Sequence, residues 1–274
     1  MTRLIEVTNL SHFFGEKKVL ENLSFSVERG SVVGLLGPSG AGKTTLINLL
    51  TGQLAPTAGS IQTPCGRLIT GIMMDSFGLY ERLSVWDNLE LFADICHVSH
   101  KKIDTLLEKT ELSAARRTPV CRLSKGMRSR VNFCRALLKD VDVLFLDEPT
   151  AGLDPATTEK IHDLIREAQA GGTTVFLSTH NMHEAQQLCG HIFLLNEGKF
   201  IESGNPHEIC LKYNLANTIR VVQKNGEIHT LDNTGRSAKL LARMMEEESV
   251  LSIHSSEPDL EHVFLHLTGR RLNE

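Results

Sequence analysis

Two stretches of the chain place glycine, lysine and acidic residues where phosphate chemistry would need them. Gly37, Pro38, Ser39, Gly40, Ala41, Gly42, Lys43 and Thr44 fit the spacing G-x-x-x-x-G-K-[ST], with Thr45 following. Glycines at 37, 40 and 42 let the backbone turn tightly enough for successive N–H groups and a helix start to face phosphate oxygens. In that setting Lys43 reaches the outer phosphates and the Thr44 hydroxyl is a ligand for Mg²⁺. A second stretch, residues 143–146, is an apolar run that delivers Asp147 and Glu148 together at its end. Adjacent carboxylates repel unless each has its own task. A cation beside Asp147 and a water beside Glu148 resolve the pair, with Glu148 as general base.

Positioning these residues requires a strand ahead of each motif and a helix behind it. Residues 31–36, SVVGLL, are apolar throughout, as expected of a strand covered on both faces, and they run into the glycine loop and then TTLINLLTG. Further buried strands are expected at 141–146, 173–178 and 191–195, with a helix from Pro155 to Ala170 closed by Gly171 and Gly172. The first thirty residues alternate short β-rich pieces, 4–7 and 19–27, with turns at Gly15 and Gly30. Between the two motifs, residues 84–109 read as helical. Ser84 with Asp87 marks a helix start, and Leu89, Phe92, Ala93 and Cys96 recur at helical spacing.

Beyond about residue 215 the pattern changes. IRVVQ and EIHTL flank Lys224-Asn225-Gly226 as a hairpin, followed by a helix at 239–247, a strand at 250–253 and a last helix opened by Pro258 and closed by Gly269. No internal repeat or low-complexity linker is present.

Composition limits the function classes. With 274 residues, 41% hydrophobic and 23% charged, the chain reads as an ordinary globular protein. Lys and Arg total 29 against 33 acidic residues, so the net charge of −4 supplies no general field for nucleic acid. No apolar run approaches the length of a membrane-spanning helix, and the first residues lack the apolar core of a signal peptide. A cytoplasmic location is expected. Cys65, Cys96, Cys121, Cys134, Cys189 and Cys210 include no C-x-x-C pair, which favours reduced thiols over disulfides or zinc.

The order of glycine loop, LSKGM, FLDEP, AGLD and a late STH resembles the ATP-binding subunit of an ABC transporter across about residues 1–210. The resemblance implies an α/β fold: a P-loop NTPase core with a mainly parallel sheet, an N-terminal antiparallel β subdomain, an inserted α-helical subdomain at about 76–135 and a small C-terminal α/β appendage. It divides the chain into a nucleotide-binding domain, 1–215, and an accessory region, 216–274. It implies ATP and Mg²⁺ as cofactors and a dimer, in which the signature residues Leu123, Ser124, Lys125, Gly126 and Met127 serve the ATP held by the partner's P-loop. A helix N-terminus at Ser124 suits that use, since its free N–H groups favour an anion. Read from its residues alone, LSKGM is an N-capped helix. By the same resemblance Asp154 belongs to the loop joining the two sites, and His180 is the switch histidine that touches the γ-phosphate. Phe14, with Phe13 as the neighbouring alternative, is the aromatic that stacks on adenine. The pair His180 and His183 also suggests a metal site, but no third ligand is evident.

Two positions depart from the family pattern. Asp75 stands where a glutamine is usual, offering an anionic ligand for Mg²⁺ or its water without an amide donor. Lys125 and Met127 replace the commoner Gly and Gln, and the tail SSEPDLEHVFLHLTGR is similar to daunorubicin- and bacitracin-resistance ATPases, which work with separate permeases of the ABC-2 class. The resemblance thus implies a subunit powering an exporter, held at the cytoplasmic face of the membrane by integral permease subunits. Residues 75–93 would face the permease, with Trp86 packing the insertion. The competing reading is an ABC-type ATPase acting on nucleic acid or ribosomes. It fits less well with one P-loop, no sustained heptads and no basic tract. An ATP-binding regulatory module without turnover is disfavoured by the intact set Lys43, Asp147, Glu148 and His180.

Overall fold

The computed structural model describes residues 2–64, 66–74, 78–214 and 217–270. Their contacts group into two compact units, Met1–Gly204 and Asn205–Leu272.

The first unit begins with a long antiparallel hairpin, β1 (Arg3–Phe14) and β2 (Lys17–Glu28), in place of the short pieces expected there. Gly15, at φ 60°, makes the turn between them. Then come β3 (Val32–Leu36), helix α1 (Lys43–Leu50), β4 (Ala58–Gln62) and β5 (Thr70–Met73). The inserted helices are α2 (Val85–Ile95), α3 (Lys101–Lys109) and α4 (Lys125–Ala136). The chain returns through β6 (Val143–Asp147), α5 (Pro155–Ala170), β7 (Thr174–Thr179), α6 (Met182–Leu188), β8 (His191–Asn196) and β9 (Lys199–Gly204).

Six of these strands form one sheet in the order β5-β6-β7-β3-β8-β9, parallel except for the β8–β9 pair. Every residue of β3, β6 and β7 is buried, as expected of parallel strands covered on both faces. Register decides where the chemistry emerges. Leu36 lies opposite Thr179, and Asp147 opposite Ser178, so β3, β6 and β7 end level with one another. The loops leaving these three strands therefore meet at one edge of the sheet, the position where open α/β sheets bind ligands. A smaller sheet, β2-β1-β4, shares a core with the large one, in which Phe25, Phe145, Phe176 and Phe193 are buried. Their rings contact one another, with Phe25 and Phe193 centroids 5.1 Å apart.

The inserted helices have their own core of Leu89, Ile103, Leu107, Val131 and Cys134. Helix α2 starts with the expected capping box: Ser84 Oγ accepts from the Asp87 N–H, and the Asp87 carboxylate accepts from the Ser84 N–H. Asn88, fully buried, fixes the preceding loop by accepting from the Tyr80 N–H at 2.7 Å and donating to the Tyr80 and Ser84 carbonyls.

The second unit comprises α7 (Pro206–Lys212), β10 (Thr218–Gln223), β11 (Ile228–Asp232), α8 (Gly235–Glu246), β12 (Val250–Ser255) and α9 (Leu260–Thr268). Its three strands form an antiparallel sheet ordered β11-β10-β12, and the expected Lys224-Asn225-Gly226 turn joins β10 to β11. Helix α9 is capped by Asp259, closed by Gly269 at φ 70°, and packs against α7. Helix α7 precedes residue 216, so it stands ahead of the accessory region expected from sequence.

Candidate functional site

The glycine loop joins β3 to α1 and is held from below by its neighbours. A Cβ on Gly37 would stand 2.2 Å from the Leu195 carbonyl oxygen, and one on Gly42 would stand 2.6 Å from Leu20 Cδ2. Gly42 also takes φ 111°, at the N-cap of α1. No residue with a side chain fits either position, so the close backbone wrap follows directly from the two glycines. The loop crest is different: Ser39 and Gly40 are exposed. Lys43 opens α1 yet is only 7% exposed. Its Nζ donates to the carbonyls of Gly37 at 2.7 Å and Pro38 at 3.3 Å, and lies 3.3 Å from Glu148 Oε1.

Asp147, 6% exposed, closes β6 with both carboxylate oxygens in use. Oδ2 accepts from Thr44 Oγ1 at 2.8 Å, and Oδ1 accepts from Ser178 Oγ on β7. Ser178 did not emerge from the sequence, where it reads only as a strand residue. The signal available there is a hydroxyl two residues before His180, at the end of an apolar strand. Thr44 and Asp147 are a hydroxyl and a carboxylate side by side, the oxygen donor set that a hard cation such as Mg²⁺ prefers.

Glu148 leaves the strand at φ 51°, a left-handed conformation costing a non-glycine residue roughly 1–2 kcal/mol. The turn is held by its N–H donating to the Ser178 carbonyl at 3.0 Å. It aims the carboxylate between two cations or donors: Oε1 toward Lys43, and Oε2 toward His180 Nδ1 at 2.6 Å. Strain kept at one residue by its surroundings is common where geometry matters more than local stability. A carboxylate held in this way can accept a proton from a water, and a half-exposed imidazole bonded to it can orient it.

Among the described residues, Lys43, Thr44, Asp147, Glu148 and His180 therefore come together. The other expected residues are arranged around them. Ser124 is the N-cap of α4, its Oγ accepting from the Met127 N–H at 3.2 Å. Asp154 caps α5, accepting from the Thr157 N–H at 3.0 Å and from Thr157 Oγ1 at 2.7 Å. Those hydrogen bonds, the hydroxyl's first, hold its carboxyl below the usual range. The two helix starts touch: a Cβ on Gly126 would stand 2.7 Å from Thr157 Cγ2. Lys125 folds over Gly152, where a Cβ would meet its Nζ at 2.7 Å. A cavity of about 560 Å³ runs from Glu148 and Pro149 to Leu123, Lys125 and Ser129. None of the hydrogen bonds of Ser124 or Asp154 described here reaches the glycine loop.

Phe14, at the end of β1, is 52% exposed and meets the His12 ring edge-on at 4.8 Å. Phe13 instead has Lys18 Nζ 5.9 Å from its ring. Trp86 lies with the Arg116 guanidinium 3.4 Å from its ring centroid and packs against the inserted helical core. His183 pairs with Gln187 on its own helix. Asp75 lies outside the described residues. The flanking backbone is held by α4: Asn132 Nδ2 donates to the Met74 carbonyl at 3.1 Å, and Arg135 donates to the Ile72 carbonyl at 3.1 Å. Burial lowers the pKa of Arg135.

Known proteins are similar to this chain in sequence and fold. The family described as ABC transporter matches residues 20–151. The Nod factor export ATP-binding protein I of Ralstonia nicotianae is 34% identical, covering all of this chain and 96% of the relative. The daunorubicin resistance ATP-binding protein DrrA3 of Streptomyces coeruleorubidus is also 34% identical, covering 98% of each. Among solved structures, an ATP binding subunit of an ABC transporter superposes with a TM-score of 0.70 at 29% identity, covering 77% of this chain and 94% of that one. The cbiO1 protein of Clostridium perfringens, part of the ABC transporter complex cbiONQ, has a TM-score of 0.70 at 28% identity, covering 78% and 96%.

Proposed function

The chain belongs to the ABC transporter family as an ATP-binding, ATP-hydrolysing subunit of its exporter branch, and we propose that it drives a separate ABC-2 class permease by closing and reopening around ATP. The observation that carries the site assignment is the convergence on Glu148, which is bonded to His180 at 2.6 Å and faces Lys43 at 3.3 Å. In this reading Lys43 and the loop of residues 37–45, through its backbone N–H groups other than at Pro38, bind the phosphates. The Phe14 ring stacks on adenine. Glu148 takes a proton from the attacking water, and His180 orients Glu148 and contacts the terminal phosphate.

Mg²⁺ fits the oxygen set of Thr44 and Asp147, and its chemistry there would be to neutralise charge on the phosphate oxygens. Asp75 is assigned a supporting place near the metal or its water. Ser124 and Gly126 serve the nucleotide of a second subunit, either a copy of this chain or a related one, while Asp154 lies between the two sites. Support for that use comes from the exposed start of α4, whose N–H groups suit an anion.

No helix among the described residues is long and apolar enough to cross a membrane. Attachment to the cytoplasmic face through integral permease subunits is part of the proposal, with the segment 75–93 assigned to face them. The accessory region, 216–274 as read from sequence, is assigned to the same assembly. The exported compound is a drug, a peptide or another small molecule. The test is co-purification from detergent with the multi-spanning protein encoded beside it. Mg²⁺-dependent ATP hydrolysis that rises in the complex supports the reading. A chain that neither associates nor hydrolyses ATP in the presence of that protein contradicts it.

A further inference from the structure

Behind the Glu148–His180 contact lies a second link between the same two segments, one that the proposed roles leave unused. Glu184, on α6, is 1% exposed. Its Oε1 accepts from Thr150 Oγ1 at 2.8 Å and from His162 Nε2 at 3.1 Å. Thr150 stands two residues after Glu148, and Glu184 one helical turn after His180. The tie thus runs from the loop that carries Glu148 to the helix after His180, and His162 on α5 holds it from beneath. Asn181 fixes the start of α6, its Oδ1 accepting from the N–H groups of His183 at 3.0 Å and Glu184 at 3.2 Å.

A buried carboxylate is costly, and replacing such a group by apolar packing is often neutral or stabilising. This one is incompletely met. Glu184 Oε2 and His162 Nδ1 are buried without a hydrogen-bond partner, the nearest acid to that nitrogen being Glu159 Oε2 at 3.8 Å. Stability alone therefore gives little reason for the group, whereas its position does. Asp147 to Ser178, Glu148 to His180 and Thr150 to Glu184 are successive rungs between the segment after β6 and the segment after β7. The middle rung is at the surface, with His180 45% exposed, and Glu148 is held at a strained φ of 51°. The Thr150–Glu184 rung is buried, at 8% and 1% exposure.

We infer that Glu184 is a positioning residue for the hydrolytic site, holding Thr150 so that the Glu148 carboxylate stays within reach of His180. The inference rests on the roles proposed for Glu148 and His180. It predicts an effect on turnover rather than on nucleotide capture, because the tie joins the segments after β6 and β7, whereas the glycine loop follows β3 and rests on Leu195 and Leu20.

The test uses the purified full chain, with kcat and KM for Mg·ATP measured separately and folding followed by thermal melting. Thr150→Val, which removes the hydroxyl at nearly constant volume, should lower kcat about tenfold and leave KM within about twofold. Thr150→Ser should return kcat to within about twofold of the parent. In a Glu184→Met background, which removes the acceptor at similar side-chain length, adding Thr150→Val should cost less than about threefold more, because both changes break one rung. Should Thr150→Val not melt cooperatively, His162→Asn supplies the second arm, with the same fall in kcat at unchanged KM. Glu148→Gln is the control. Normal kcat in Thr150→Val or His162→Asn beside an inactive Glu148→Gln overturns the role of Glu184, as do losses that multiply or a serine variant that fails to recover. Turnover surviving in Glu148→Gln overturns the site assignment itself, and the role of Glu184 with it.

Discussion

Thr44 Oγ1 donates to Asp147 Oδ2 at 2.8 Å, joining the first turn of α1 to the end of β6 across the sheet edge. The bond sets a hydroxyl and a carboxylate at the spacing of two ligands of one cation. Asp147→Asn should therefore raise the Mg²⁺ concentration needed for half-maximal hydrolysis by tenfold or more, and Thr44→Ser should leave it near the parent value. Titrating Mg²⁺ at fixed ATP checks both. Comparing Asp75→Gln in the same titration tests whether Asp75 belongs to that shell, since an unchanged profile removes it.

The glycines of the loop separate into two classes. At Gly37 an added Cβ would collide with the Leu195 carbonyl, a backbone atom with nowhere to move. At Gly40 nothing lies within 4 Å, and only φ 80° opposes a side chain. Gly40→Ala should cost about 1–2 kcal/mol, lowering Tm by roughly 2–8 °C. Gly37→Ala should cost more and displace the loop. Differential scanning calorimetry of the two variants distinguishes them.

Ser124 caps α4, and the proposed function gives it a second, separable task at a partner's nucleotide. As the N-cap of α4 it satisfies the Met127 N–H, so Ser124→Ala should cost about 0.5–2 kcal/mol of stability. Asparagine caps a helix about as well as serine. Ser124→Asn should thus keep the parent Tm but lose ATP-dependent dimerisation and most turnover. A Ser124→Asn protein with normal turnover would confine Ser124 to capping.

Burial pushes the Cys134 thiol up to about 12 from 9.0, and burial followed by the Glu184 charge pushes the Cys189 thiol up as well. Because the folded values exceed the unfolded ones, the unfolded chain releases these protons first as pH rises. The stability they contribute is complete below about pH 9 and lost progressively toward pH 12. Cys121, by contrast, is exposed. A thiol reagent at neutral pH should modify Cys121 in the folded protein and spare Cys134 and Cys189 until denaturant is added.

Much of the site was legible in the sequence because its residues are local in the chain. The glycine loop, the Asp147–Glu148 pair and the cap at Ser124 each depend on neighbours a few residues away, and helix α5 starts and stops as its Pro155 and glycine signals indicate. What was missed depends on distant partners. Strand β4 carries little apolar pattern, since it is half-covered and, among the described residues, pairs with β1 at the edge of its sheet. Ser178 and Glu184 look like a strand hydroxyl and a helix acid until the register of β6 against β7 sets them beside Asp147 and Thr150. Long β1 and β2 were read as fragments because their bulges, between Val7 and Leu10 among others, interrupt the alternation.

In the proposed function Glu148 is the residue that activates water at a nucleotide shared by two subunits. Glu148→Gln removes the base and keeps the shape. Sedimentation of that variant with Mg·ATP, alongside its hydrolysis rate, is the most direct measurement. The account predicts a dimer that persists and turnover reduced by roughly 10²- to 10⁴-fold. Hydrolysis at the parent rate, or a variant that stays monomeric under saturating Mg·ATP, would contradict it.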